Sequence, residues 1–567
     1  MSDTVIAPPA EPEPQKSGGG LKVALGIAGV AVLALAGVGA YAWTQLSGGG
    51  TQPHDVLPAD TIAYARIDLD PSASQKVALL RLVDRVPEIA EEIGIDDEDD
   101  DLRRVLVEGV LESSCDVDYD DDVEPWLGER LGVGLGPDLE DEQIRIAVQV
   151  TDEDAARDGI ATLFECAGEE FGIAFLDGYA IVTPTQDEAD AAVEAAGEGS
   201  LADTEAFAAD LDDLGDDGLV SVWADLEEAG SLVSEFGFGL GFDEELADTG
   251  GATSVFLALR AGSDSLEIGG FTRVADEPET PDVRGLGDLP DDTVAAISVV
   301  GAGEYAVELY EGFLEGLSGF PFGGGFDDGA FEEFEEFDPL EGLTQDEIDE
   351  LREILGDDFD AIYGDGATDP LGGGLFDDGL GFDPEGAIEE FGTTYDLRFP
   401  EDLESLFGDA LTLYVGSTGL RELPTLEGPE ATERLSAGLV LSGGAGAADL
   451  AERLVAAVTA ASGIELVAEP TDDGAVIATN AEVAEALTSD GDLGSSDAFE
   501  SVMAGGGPFG GFFVDVAAII AELREADPPE DVDSFFDDLS IVRAVGVSGS
   551  REDDRIGFSV KVSFTDE

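Results

Sequence analysis

Imidazole and thiol are almost absent from this sequence: one histidine, His54, and two cysteines in 567 residues. A Ser-His-Asp or Cys-His site needs an imidazole beside its nucleophile. His54 lies ahead of the first strand-like run, so the sequence offers none inside the expected fold. Zinc sites built on several histidines or on four thiolates are excluded by number alone. Positive charge is equally scarce. Lys and Arg total 24 against 130 Asp and Glu, a formal charge of −106. Electrostatic binding of nucleic acid requires basic patches, so that partner class is excluded. No GxxxxGK[ST] stretch is present, and with it goes the P-loop mode of phosphate binding. What is abundant is carboxylate, Gly (75 residues) and Phe (30 residues), with 43% of positions hydrophobic. That apolar fraction is enough for folded cores, and the length calls for more than one domain.

Near the N-terminus, Val23 to Trp43 carries no charge, with Lys16 and Lys22 ahead of it and Tyr41 and Trp43 at its far end. A helix of that length spans a hydrocarbon core of roughly 30 Å. The sequence therefore predicts a disordered cytoplasmic tail over 1–20, one transmembrane helix over 21–46 and a linker over 47–56. The positive-inside bias places the C-terminal bulk outside the cell membrane. A cleaved signal peptide ending at the small-x-small triplet Ala40-Tyr41-Ala42 is the competing reading.

Self-comparison gives the organisation of the rest. Leu57-Pro58-Ala59-Asp60-Thr61-Ile62-Ala63 returns as Leu289-Pro290-Asp291-Asp292-Thr293-Val294-Ala295, an offset of 232. Gly128-Glu129-Arg130-Leu131 returns as Gly408-Asp409-Ala410-Leu411 at 280, and Trp223-Ala224-Asp225-Leu226 as Phe513-Val514-Asp515-Val516. The closing strand Ile268–Val274 aligns with Ile556–Val562. The expected fold class is α+β: a tandem duplication of an antiparallel-sheet-plus-helices domain, preceded by the transmembrane helix. The two repeat domains are expected over 57–276 and 285–567. Within the first copy the pattern predicts strands over Thr61–Asp70, Arg130–Gly136, Ile144–Val150 and Tyr179–Thr183, and a helix starting beyond Asp152. An amphipathic helix carrying Leu79, Leu82, Val86, Ile89 and Ile93 is expected after the first strand.

The jump in offset from 232 to 280 marks an insertion in the second copy. It is Phe/Gly/acid-rich, near 316–392, with segments such as Phe331-Glu332-Glu333-Phe334 and a short helix capped by Thr344 and Glu347. Phe spaced among carboxylates suits a protein partner; a solvated acidic loop is the plainer alternative.

Asp118, Asp120, Asp122 and Glu129 match positions 1, 3, 5 and 12 of a calcium loop, but Val123 stands where the turn-making Gly belongs. Loosely bound calcium and a solvated acidic loop are the two readings of that cluster. No other cofactor is expected. Cys115 and Cys166 both belong to the first copy and are expected to form a disulfide, with two buried free thiols as the alternative.

Taken together, Leu57-Pro58-Ala59-Asp60-Thr61, Arg66-Ile67-Asp68-Leu69-Asp70-Pro71 and Trp126-Leu127-Gly128-Glu129-Arg130 resemble the uncharacterised family of bacterial membrane-anchored proteins labelled domain of unknown function 3352. The resemblance spans most of 55–567, rests on structural motifs, and implies an envelope location without an activity. The functional expectation is a non-catalytic binding or scaffolding protein of the cell envelope. The alternative is a carboxylate-based hydrolase of envelope glycans, which requires two carboxylates about 5–9.5 Å apart in a pocket.

Overall fold

The computed structural model describes residues 50–69, 117–137, 143–168, 170–229, 251–275, 283–307, 392–425, 434–443, 446–503, 510–526 and 530–565, with residues 75, 103, 104, 310, 432 and 528. The first copy contributes β1 (Ala63–Asp68), β2 (Leu127–Leu135), β3 (Ile144–Val150), β4 (Gly172–Leu176), β5 (Tyr179–Thr183), β6 (Val220–Asp225), β7 (Ala252–Ala261) and β8 (Ser265–Val274). The second contributes β9 (Thr293–Val300), β10 (Ala410–Gly416), β11 (Ala437–Leu441), β12 (Val467–Pro470), β13 (Ala475–Ala478), β14 (Gly511–Asp515), β15 (Val542–Glu552) and β16 (Arg555–Phe564).

These strands do not form the two separate sheets that the duplication suggested. They form one antiparallel sheet in the order β12-β13-β11-β10-β9-β14-β15-β16-β8-β7-β6-β1-β2-β3-β5-β4. Outwards from the centre, each half runs through corresponding strands in the same sequence. The halves join where β8 pairs with β16 from Ser265–Ser563 to Arg273–Arg555. The physical reason is the hairpin that closes each copy. It leaves one long strand with free N–H and C=O groups on its outer side, and such an edge is satisfied by another edge. Sequence periodicity reports the face of a strand and is silent on its neighbour.

Register also corrects the alignment of the closing strand. The pairings of β6 with β7 and β7 with β8, set against β14 with β15 and β15 with β16, give an offset of 290. Ile268 therefore corresponds to Phe558, two residues beyond the expected Ile556. A slip of two leaves every side chain on its own face, so alternation cannot reveal it.

Helices cover both faces. In the first copy, α1 (Pro53–Val56), α2 (Glu153–Ala167), α3 (Gln186–Glu198) and α4 (Glu205–Leu214) surround the sheet. Asp152 accepts from Ala155 N to start α2, and Gly168, at φ 72°, ends it in the left-handed conformation that glycine adopts without strain. Ala156 and Ile160 are buried from that helix against Ile67, Val148 and Val220 on one face. Val56, Leu57, Tyr64, Phe207, Trp223 and Phe256 form the core on the other. The second copy adds α5 (Glu401–Phe407), α6 (Ala447–Ser462), α7 (Ala481–Leu487), α8 (Asp497–Met503), α9 (Val516–Arg524) and α10 (Glu530–Leu539).

The membrane expectation does not stand. Among the described residues no helix is long and apolar enough to cross a membrane, and the span expected over 21–46, with its tail over 1–20, lies outside them. An uncharged run satisfies hydropathy without itself establishing a helix, so the single-pass anchor and the outside location are not carried further. The amphipathic helix at Leu79–Ile93, the insert near 316–392 and the helix capped by Thr344 also lie outside the described residues.

Candidate functional site

Two of the four calcium candidates, Asp118 and Asp122, are engaged with local backbone. Asp118 caps the π-helical turn Tyr119–Val123 by accepting from Asp120 N and Asp121 N, and Asp122 Oδ2 accepts from Asp118 N. Asp120 pairs with Arg104, while Glu129 sits exposed on β2. Among the described residues no three His, Cys, Asp or Glu side chains gather as a metal-holding group. Cys166 lies exposed near the end of α2 and is disulfide-bonded. Cys115 lies outside the described residues, so no bridge between two described cysteines is seen.

The Trp126-to-Arg130 motif is built into the core. The Trp126 indole donates to Asp122 O at 2.7 Å and lies against Gly159 of α2, where any Cβ would collide with it. A Cβ on Gly128 would meet the Gln149 carbonyl oxygen at 2.7 Å.

His54, read from the sequence as lying ahead of the fold, is inside it. It sits on α1, with 7% of its surface exposed, edge-on to Tyr64 and tilted against Phe207. Two β2 glycines make room for this segment: a Cβ on Gly132 would strike Pro53, and one on Gly134 would meet Leu57 and Thr61 at 3.1 Å. His54 Nδ1 lies 3.4 Å from Tyr64 Oη. Burial pushes the imidazole below its ordinary value, with Arg66 pushing the same way and Asp55 and Asp217 opposing. Burial likewise pushes the Tyr64 phenol up. Tyr179 is pushed up to about 12 by burial, with Arg130 beside it pulling the other way, and donates to Thr51 O at 2.8 Å. Arg66 reaches Asp68 at 2.7 Å and Asp217 at 2.5 Å. Among the described residues, no serine or cysteine is hydrogen-bonded to this imidazole; its hydroxyl neighbour is the Tyr64 phenol.

The second feature is apolar. Phe175, Ala180, Val148, Leu131, Ile67, Val220, Leu259 and Ile268 are successive cross-strand partners in the first half. The row continues through Val560, Val547, Phe512, Ile297, Leu413, Leu439, Ile477 and Ala468. One uncharged line thus crosses all sixteen strands. It is covered at both ends, under α2 and under α6. In between, Leu413, Ile297 and Phe512 are 39%, 40% and 36% exposed on adjacent strands. The neighbouring row Val415, Ala295, Val514, Val545, Val562 and Leu266 is also free of charge. The positions corresponding to the exposed three in the first copy are Val133, Ala65 and Val222, smaller residues that are only half-exposed.

With this geometry established, known proteins add little. No protein-family model and no curated protein matches the chain. A solved structure, crystal form III of TP0453, aligns over 41% of this chain and 82% of its own, at 8% identity and a TM-score of 0.22. A likeness at that level carries no conclusion about fold or function.

Proposed function

We propose that this protein is a non-catalytic binding protein, and that its partner docks on the apolar sheet face centred on Ile297. The observation behind this reading is the trio Leu413, Ile297 and Phe512. In the second copy these side chains are both larger and more exposed than their counterparts in the first. In a chain with nearly one acid per four residues, an uncharged multi-strand patch is the kind of surface that another molecule covers. The rigid sheet holds the three side chains without further ordering, which keeps the cost of docking low.

The partner is a protein segment with an apolar face bordered by Lys or Arg. Charge complementarity argues for this, because −106 on the chain repels an acidic segment and steers a basic one. The test is a titration of the full chain with a labelled amphipathic Leu/Lys peptide and with its Leu/Glu counterpart. The Leu/Lys peptide should bind, the Leu/Glu peptide should not, and Ile297→Asp or Phe512→Asp should weaken binding about tenfold or more. Equal binding by the variants would mean unspecific charge attraction and would end the proposal.

A further inference from the structure

The two ends of the sheet correspond in the duplication but are finished differently. At the first-copy end, β4 is the terminal strand, and Gln186 of α3 occupies its outer side. Gln186 Oε1 accepts from Ile173 N at 3.1 Å, and its Nε2 donates to Ile173 O at 3.0 Å. A side chain thus takes the edge groups that another strand would otherwise pair with. Gly172 lets the start of α3 come this close, since a Cβ there would strike the Thr185 carbonyl oxygen. At the other end, an offset of 295 relates Ile173 to Ala468, Val182 to Ile477 and the N-cap Thr185 to Asn480. The counterpart of Gln186 is Ala481, exposed at the start of α7, which has no polar group to offer a strand edge. The counterpart of Gly172 is Val467, whose Cβ requires a wider gap. Thr471 N donates to Gly474 O at 3.1 Å, which fixes the alternation of the β12–β13 ladder. The Ala468 N–H and C=O and the Pro470 C=O therefore point away from β13. β12 ends the sheet, and among the described residues no hydrogen bond meets those groups.

We infer that the β12 edge is a docking site, separate from the apolar face, for an extended basic segment of a partner protein that joins the sheet as a further strand. The exposed acids Glu465, Glu469, Asp472 and Asp473 line this strand and its turn, and the sequence from 454 to 523 contains no Lys or Arg. Such an edge repels a second copy of this chain, with its charge of −106, and draws a segment bearing Lys or Arg. Alternation sets the rest of the partner's pattern. On one face an added strand continues the apolar row through Ala468, Ile477 and Leu439. On the other its side chains stand beside the exposed Glu469. The fitting segment therefore alternates apolar residues with Lys or Arg. Pro470 has no N–H to give, which limits the length of the added strand without closing the edge at Ala468.

The test is a titration of the full chain with a labelled peptide alternating Val and Lys, followed by fluorescence and by hydrogen–deuterium exchange. The peptide should bind and should protect residues 466–470 while leaving 172–176 unchanged. A peptide methylated on every backbone nitrogen keeps the charge and loses the donors, and it should bind about tenfold more weakly or worse. Ala468→Pro removes the outward N–H at a position where an edge strand accepts proline, and it should weaken the unmethylated peptide about fivefold. Ile297→Asp should leave this binding unchanged, which separates the edge from the apolar face. No binding, or equal binding by the methylated peptide, would overturn the site, the latter showing charge attraction alone. Protection at 172–176 in place of 466–470 would overturn the assignment to β12. A loss in Ile297→Asp matching that in Ala468→Pro would put the peptide on the apolar face instead. A dimer of the unliganded chain in sedimentation, dissolved by Ala468→Pro, would overturn the choice of occupant in favour of a second copy.

Discussion

Gly269 lies opposite Ser559 in the ladder between β8 and β16, and the same two residues are counterparts in the duplication at the offset of 290. A local two-fold axis therefore passes through that pair, relating one half of the sheet to the other. Side chains near the axis break the symmetry. Arg273 and Arg555 sit opposite each other, both over the ring of Phe271, and Arg273 reaches Asp210, Asp213 and Asp554.

Arg273 should be the most sensitive side chain of this junction. Asp210 is 1% exposed and holds the Trp223 indole at 2.8 Å, so losing the guanidinium strands a buried carboxylate. Arg273→Met is expected to cost about 3–5 kcal/mol, read from urea unfolding. A loss below about 1 kcal/mol would mean that water already satisfies Asp210.

Gly132→Ala should loosen the segment over β2, because the added methyl occupies the place of Pro53. The expected destabilisation is about 1–3 kcal/mol. Limited proteolysis near residues 50–57 should speed up, while Gly197→Ala, within α3 and with nothing within 4 Å of the added Cβ, should leave that cleavage rate unchanged.

Acid sensitivity should trace to His54. Its folded pKa lies below the unfolded value of about 6.5, so the unfolded chain takes up the proton first. The resulting stability is complete above pH about 6.5 and is lost as the pH falls from there through the folded pKa. His54→Phe should flatten stability across that window. An imidazole that titrates at or above 6.5 in the native protein, followed by NMR, would contradict this.

Salt should stabilise the fold. A charge of −106 repels itself most in the compact state, and screening relieves that repulsion. The melting temperature should climb from low to molar sodium chloride; a flat profile would show that the acids are already compensated locally.

Local structure was legible wherever a local rule governs it. The bounds of β3 and β5 follow from their apolar patterns, and the start of α2 from the cap at Asp152. The fusion into one sheet was not legible, because the partner of an edge strand is a nonlocal choice. Nor was the place of His54: a four-residue helix has no periodicity to detect, and its seat is prepared by Gly132 and Gly134 on a distant strand. At the candidate surface, Ile297 and Phe512 are apolar by identity, but no sequence pattern says that nothing described covers them.

The axis through Gly269 and Ser559 has a consequence for assembly. A two-fold pairing of like edges is the arrangement by which two identical subunits make a closed dimer. One half alone would expose the long edge of β8 and would need a second molecule to satisfy it. Joining both halves in one chain replaces that concentration-dependent encounter with an intramolecular one, so the seam closes at any dilution. It also frees the halves to diverge, which is how one of them came to carry Leu413, Ile297 and Phe512 where the other has Val133, Ala65 and Val222.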